Sequence, residues 1–420
     1  MSNKLLVPRI RFKEFTNAWE QGKLGNLIDK GGSGGTPNTS NAKFYNGSIP
    51  FLTIADLTKA DGHIYSTEKH ITNEGLNSSS AWIVPKGSLT LSIYATIGKI
   101  GIMHQNMATS QAFYSMVIND DITKKYLYYH LKKSDVFGEW TKLISTGTQA
   151  NLNSEKVKSF GIFIPKNKSE QSKISSLFTH LDSLITLHQR KLLSLKNLKS
   201  RLLDRMFCDE KSQFPSIRFK EFTNAWEQEK LGECSKFYNG LTSVSKSDFG
   251  VGKDLYIDYL NVFNNTFSQF SELKKFKNSS RQNYVQFKDV ILTISSETPD
   301  EVAMSSVINW KNDYKNVAFN SFCILVRFNQ LEKYDVNYIG YFFRSNSFRT
   351  QAMLMAQGIS RFNINQTALK KTLFLFPPNI YEQQKIGNVL YYLDSLITLH
   401  QRKLNSLKNI KNTLLDKMFV

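Results

Sequence analysis

From Ser169 onward the apolar positions fall in steps of three and four: Ile174, Leu177, Leu181 and Leu184, then, past His188 and Lys191, Leu195, Leu198 and Leu202. A second run repeats the rhythm at Ile386, Val389, Leu393 and Leu396, passes His400 and Lys403, and continues through Leu407, Ile410 and Leu414. Such spacing is a heptad seam. Ser169-Glu170-Gln171 suits a first helical turn, and each helix of roughly 34 residues would span about 50 Å. Elsewhere the period changes. Thr90–Ile102, Asp289–Ile294 and Val302–Ile308 are β-branched and alternating, which predicts strands. Tyr126–Lys132 and Val336–Phe343 predict helices. Gly31-Gly32-Ser33-Gly34-Gly35-Thr36-Pro37 predicts a flexible loop; it lacks the Lys-Ser/Thr of a phosphate-cradling loop and opens no helix.

The text of the chain repeats. Ile10–Gln21 recurs letter for letter as Ile217–Gln228, and Leu181–Leu192 as Leu393–Leu404. Between these islands, residues 26–165 and 233–377 share only scattered features, such as Asn151-Leu152-Asn153 against Asn363-Ile364-Asn365. A solenoid would repeat many times at short period. Here a unit of half the chain occurs twice, with a fixed frame, a divergent block and a fixed helix. The first helix leaves the first block and delivers the chain to the second, so a second helix pairing with it must run back. The expected fold is α+β: two globular domains separated by two long helices that pair as an antiparallel coiled coil, with pseudo-twofold internal symmetry. The expected boundaries are 1–168 and 208–380 for the domains, and 169–207 and 381–420 for the helices.

Charge then narrows the function. The 420 residues carry a formal net charge of +19, which favours a polyanionic partner, nucleic acid before membrane. No apolar stretch is long enough to span a membrane, and no secretory leader is evident, so a cytoplasmic protein is expected. The three cysteines, Cys208, Cys234 and Cys323, are far apart and form no CxxC pair, so neither a disulfide framework nor a zinc site is expected. Motifs of nucleotide hydrolysis, zinc proteolysis, serine hydrolysis and amino-methyl transfer are absent. Pro299-Asp300-Glu301 lacks the spaced acid and lysine of a nuclease and reads as a turn. No catalysis is expected in this chain.

The order of several short motifs carries a family resemblance. Gly34-Gly35-Thr36-Pro37 precedes Tyr45-Asn46-Gly47-Ser48-Ile49-Pro50; a strand pair surrounds Ile97-Gly98-Lys99-Ile100-Gly101; a Gly-Thr-Gln segment begins at Gly147; Ile164-Pro165 and Glu170-Gln171 lead into the helix, and Pro377-Pro378 and Glu382-Gln383 repeat that ending. Across essentially its whole length the chain resembles the specificity subunit of type I restriction–modification systems. It departs where Ser295-Ser296-Glu297-Thr298 stands in place of the glycine-punctuated strand pair.

The resemblance implies that each block is a target recognition domain reading one half of a bipartite, asymmetric site in double-stranded DNA. It implies that the helices dock two methyltransferase subunits, and that motor-nuclease subunits complete the restriction complex. S-adenosylmethionine, ATP and Mg are then expected on those partners and no cofactor on this chain. On that reading the DNA-contact candidates are Tyr94, Thr96, Lys99, Thr148, Gln149 and Asn151 in the first domain, and Arg281, Ser296, Thr298, Ser360, Arg361 and Asn363 in the second. They stand at turns or just beyond strands; a Gln can pair with adenine and an Arg with guanine. Ile185, Leu192, Ile397 and Leu404 are the candidates for partner docking. Trp19 and Trp226, inside the repeated frame, are expected in the core rather than stacking on bases. A stand-alone sequence-specific DNA-binding regulator is the alternative, with a nuclease or methylase and an RNA-binding adaptor behind it.

Overall fold

The computed structural model describes residues 6–144, 152–278, 280–311 and 316–420. Two compact units are formed, Met1–His188 with Lys403–Val420, and Gln189–Arg402. Both boundaries fall inside the long helices, because each unit takes one part of each helix into its own core.

In the first unit a five-stranded sheet has the order Lys30–Ser33, Phe113–Val117, Leu89–Ser92, Ile100–Met103, His63–Ile64. A three-stranded ribbon of Lys69–Ile71, Tyr45–Leu52 and Ala108–Thr109 lies beside it in the fold, and Glu20–Lys23 pairs with Gly161–Ile164. The second unit repeats this plan. Its four-stranded sheet runs Ser235–Asn239, Cys323–Phe328, Val290–Thr293, Ser305–Val307; its ribbon is Lys274–Phe276, Phe249–Ile257 and Val317–Phe319; and Glu227–Lys230 pairs with Leu373–Phe376. The helix Asp121–Val136 begins where the Asp120 carboxylate accepts from the Ile122 N–H, and it buries Tyr126, Leu127 and Leu131. Val336–Phe342 is its counterpart, capped by Asp335 and burying Tyr338, Ile339 and Phe342.

The predicted flexible glycine loop is built otherwise. Lys30–Ser33 is an edge strand, and Gly34 and Gly35 are buried. A Cβ at Gly34 would fall 2.1 Å from the Thr109 carbonyl oxygen, so only glycine lets the backbone approach so closely.

The repeated frame owes its identity to a buried cluster. The Arg11 guanidinium donates to both carboxylate oxygens of Glu170, at 2.7 and 2.9 Å, and the Trp19 indole N–H donates to Glu170 Oε1 at 3.2 Å. Arg218, Glu382 and Trp226 reproduce all three bonds at the same distances. Both tryptophans lie in the core, 2% and 1% exposed. A charge-assisted, bidentate pair with no water to replace it tolerates few substitutions.

The long helices span Lys168–Arg205 and Ile380–Met418. In the first unit Phe178 faces Phe419 and Asp182 binds Lys411, so the two segments run antiparallel. In the second unit Lys199 Nζ binds Asp394 at 2.6 Å, which is the same pairing with the roles of the helices exchanged. The seam differs from its expected phase by one residue at every second position. Phe178, Ile185, Leu192 and Lys199 take the places expected for Leu177, Leu184, Lys191 and Leu198; Leu198 is 38% exposed. On the second helix Leu390, Ile397, Leu404 and Lys411 replace Val389, Leu396, Lys403 and Ile410, and Leu396 and Ile410 are exposed. Adjacent apolar residues make both phases legal in sequence. The tie is broken by lysines that enter the seam because an aspartate on the facing helix binds them.

Candidate nucleic-acid interface

Both units build one kind of protrusion from the same backbone latch. In the first, the strand Leu89–Ser92 ends in Ile93, whose N–H donates to the Ala112 carbonyl at 2.8 Å, while the Leu152 N–H donates to the Ile93 carbonyl at 3.0 Å. In the second, the Ile294 N–H donates to the Phe322 carbonyl and the Ile364 N–H to the Ile294 carbonyl, both at 3.0 Å. Leu152 and Ile364 are buried, and the asparagines after them, Asn153 and Asn365, cap short helices by accepting from Lys156 and Ala368 at 2.9 Å. Whatever follows Ile93 and Ile294 therefore projects from a rigid base, next to the chain that returns to the latch.

In the first unit the projection is a tight hairpin tip. Ser92 Oγ donates to the Thr96 carbonyl at 2.6 Å and accepts from the Lys99 N–H at 3.0 Å. Ala95 and Thr96 have φ of 36° and 46°, a conformation rare for residues with a Cβ and costing about 1–3 kcal/mol each. The tip thus presents Tyr94, Ala95 and Thr96 to solvent. Lys99 is half-buried on the flank of the hairpin, where it opposes the upward push of burial on the Asp135 carboxyl. Thr148, Gln149 and Asn151 lie outside the described residues.

In the second unit Ser295–Ser296 pairs antiparallel with Phe362–Asn363. This brings Thr298, Ser360, Arg361 and Asn363 together on an exposed surface, with Ile359 97% exposed beside them. Arg361 Nε donates to Ser295 Oγ at 2.8 Å, and the Tyr259 hydroxyl donates to the Ser295 carbonyl at 2.7 Å. Ser296 is turned inward: it is 6% exposed and its Oγ donates to Glu301 Oε2 at 3.0 Å. Arg281 is exposed on a separate loop, beside Gln282, whose side chain is tied to Thr242. Sequence reasoning missed the anchors Ser92, Ser295 and Tyr259. Ser92 and Ser295 stand directly before and after the latching isoleucines, a signal visible only once the two units are superposed by their latches.

The docking candidates are placed differently from expectation. Ile185, Leu192 and Leu404 are 7%, 8% and 5% exposed and Ile397 is half-buried, because all four belong to the seam in its actual phase. The apolar residues left in solvent on the helices are Leu187, Leu193, Leu198, Leu396, Leu399 and Ile410. Leu187 and Leu399 occupy equivalent places in the two units. No helix of the described residues is long and apolar enough to cross a membrane.

Two units of one plan, with a shared scaffold and unlike tips, define a DNA-specificity module present twice, and the family comparison agrees. The type I restriction modification DNA specificity domain matches residues 17–197 and again 224–409, and the chain belongs to that family. Its relatives include the type I restriction enzyme MjaIX specificity subunit of Methanocaldococcus jannaschii, 29% identical over 237 residues, which are 54% of this chain and 54% of that protein. The HindI specificity subunit of Haemophilus influenzae is 29% identical over 159 residues, 37% of this chain and 34% of that one. The chain spans about half, or less, of the length of the curated relatives it matches. The fold is that of the type I restriction–modification S subunit from M. genitalium, with a TM-score of 0.59 at 15% identity over 99% of both chains. It is also that of a chain from a structure on complex assembly and conformational transition of the type I R-M system, with a TM-score of 0.57 at 15% identity over 96% and 97%.

Proposed function

We propose that this chain is the sequence-specific DNA-binding subunit of a type I restriction–modification complex in the cytoplasm, and that each unit reads one half of a bipartite, asymmetric target. The observation that carries the proposal is the duplicated latch with unlike residues beyond it: Tyr94 and Thr96 on a strained tip in one unit, Arg361 and Asn363 on a short ribbon in the other. A shared base with different edge-reading groups suits two different half-sites. The surplus of positive charge supplies the phosphate attraction common to both. The exposed leucines of the long helices dock two methyltransferase subunits, and motor-nuclease subunits join the complex for restriction. Catalysis, with its S-adenosylmethionine, ATP and Mg, belongs to those partners.

The test is affinity capture of the tagged chain from its host, with a map of methylated adenines in a strain with the gene and one without. Recovery of a methyltransferase and loss of one bipartite methylation motif are the expected results. A chain that binds DNA with full affinity, recovers no methyltransferase and leaves methylation unchanged would instead be a stand-alone regulator.

A further inference from the structure

The two divergent blocks keep one further feature. In the first unit Tyr45–Leu52 carries a bulge between Tyr45 and Ile49 and pairs antiparallel with Lys69–Ile71, placing Lys69 opposite Phe51. In the second, Phe249–Ile257 carries a bulge between Phe249 and Asp254 and pairs with Lys274–Phe276, placing Lys274 opposite Tyr256. Each ribbon continues in parallel register onto a third strand, Phe51 beside Ala108 and Tyr256 beside Ala318. That third strand leads at once into the latch. Ser110 N–H donates to the Leu52 carbonyl and Asn320 N–H to the Ile257 carbonyl, and two residues beyond them Ala112 and Phe322 accept from Ile93 and Ile294. The lysine end of each ribbon is therefore the end nearest the reading tip of its own unit.

The side chains there are available. Lys69, Lys274 and Lys275 are exposed and make no salt bridge among the described residues. Their nearest acidic neighbours in sequence are engaged elsewhere, Glu68 with Lys59 at 3.3 Å and Glu272 with the Asn265 amide at 3.2 Å. An outer strand of a bulged, twisted ribbon is a place where a cation can follow a curved backbone without entering a groove. A flexible ammonium also meets phosphate as a point charge and carries little base preference.

Resting on the proposed DNA-binding function, we infer that Lys69 in one unit and Lys274 with Lys275 in the other bind the phosphates that seat each reading tip on duplex DNA. They set affinity and leave the choice of bases to the tips. The test uses the complex captured through the tagged full-length chain, titrated with a pool of random-sequence duplex DNA at several salt concentrations. The triple variant Lys69→Gln, Lys274→Gln, Lys275→Gln should bind more weakly and lower the slope of log affinity against log salt by about 0.9 for each phosphate that is no longer neutralised. The motif selected from the pool should stay the same, circular dichroism should stay the same, and Lys403→Gln on the long helix should not change the slope. An unchanged slope in the triple variant overturns the assignment while the function stands. A lowered slope with an altered selected motif overturns it too, since the lysines would then read bases. A wild-type complex with no salt-dependent duplex binding defeats both this inference and the function on which it rests.

Discussion

The first unit closes around a histidine where the second closes around a phenylalanine. His130 and Phe342 occupy equivalent positions on the helix that supports each sheet, and both are buried, at 2% and 0% exposure. Around them the frames are the same: Arg11, Trp19 and Glu170 against Arg218, Trp226 and Glu382, Tyr129 donating to Asp182 against Tyr341 donating to Asp394. The contrast teaches where divergence is tolerated. Networks that tie the frame to the helices are kept intact, because a half-made buried ion pair is worse than none. Packing positions and protruding tips have drifted, because a ring can replace a ring and a solvated tip answers only to what it touches.

Experiments can break or sharpen this comparison. The largest effect is expected on assembly. Leu187→Asp with Leu399→Asp removes one exposed leucine from the equivalent place in each unit, and should abolish recovery of the methyltransferase without lowering the melting temperature. Ile185→Asp, in the seam, should instead unfold its unit. Assembly at wild-type yield in the double variant would show that the outer leucines are not the docking surface.

Next come the frame networks. Glu170→Ala and Glu382→Ala should each destabilise the unit that contains it by about 3–5 kcal/mol, since each strands a buried guanidinium. Denaturant unfolding of the two variants should give similar losses; a loss confined to one variant would mean that the duplicated network is not equivalent in energy.

Acid should then separate the units. Burial lowers the His130 imidazole to about 4. The unfolded chain therefore binds a proton below its ordinary value near 6.5 while the folded unit refuses it. The stability concerned is complete above pH 6.5 and is lost as pH falls toward about 4, by about 3 kcal/mol in all. Melting curves across that range should show one unit weakening, and His130→Phe, which copies the second unit, should remove that part of the pH dependence. A variant that keeps the full acid sensitivity would place its origin elsewhere. Smallest of all, Asn153→Ala and Asn365→Ala should each cost about 1 kcal/mol by uncapping a short helix. The same unfolding assay checks this, and a twofold disparity would show that one latch is the tighter.

Duplication made the plan of this molecule legible from its letters, because identical frames can only build identical surroundings. The two antiparallel helices followed from connectivity, and the strands around Leu89–Ser92 and Val290–Thr293 from their β-branched runs. What stayed hidden depended on partners distant in the chain. The seam phase rests on Asp394 holding Lys199, and on Asp182 holding Lys411, pairings that no local window contains. The alternation through Thr90–Ile102 concealed a chain reversal at Tyr94–Gly98, since a hairpin preserves the period on both sides of its tip. Ser296 looked like an exposed donor beside Thr298 until Glu301 drew it inward. Tyr94, Thr96, Arg361 and Asn363 were readable as surface groups because turns and strand ends put them there.

The central claim is that the two units choose their bases separately. The direct measurement is a genome-wide map of methylated adenines after residues 26–165 are replaced by the corresponding block of a relative with a different target. The account predicts a bipartite motif in which one half changes to the donor's sequence and the other half stays as it was. A map in which both halves change, or in which neither does while methylation persists, would contradict it.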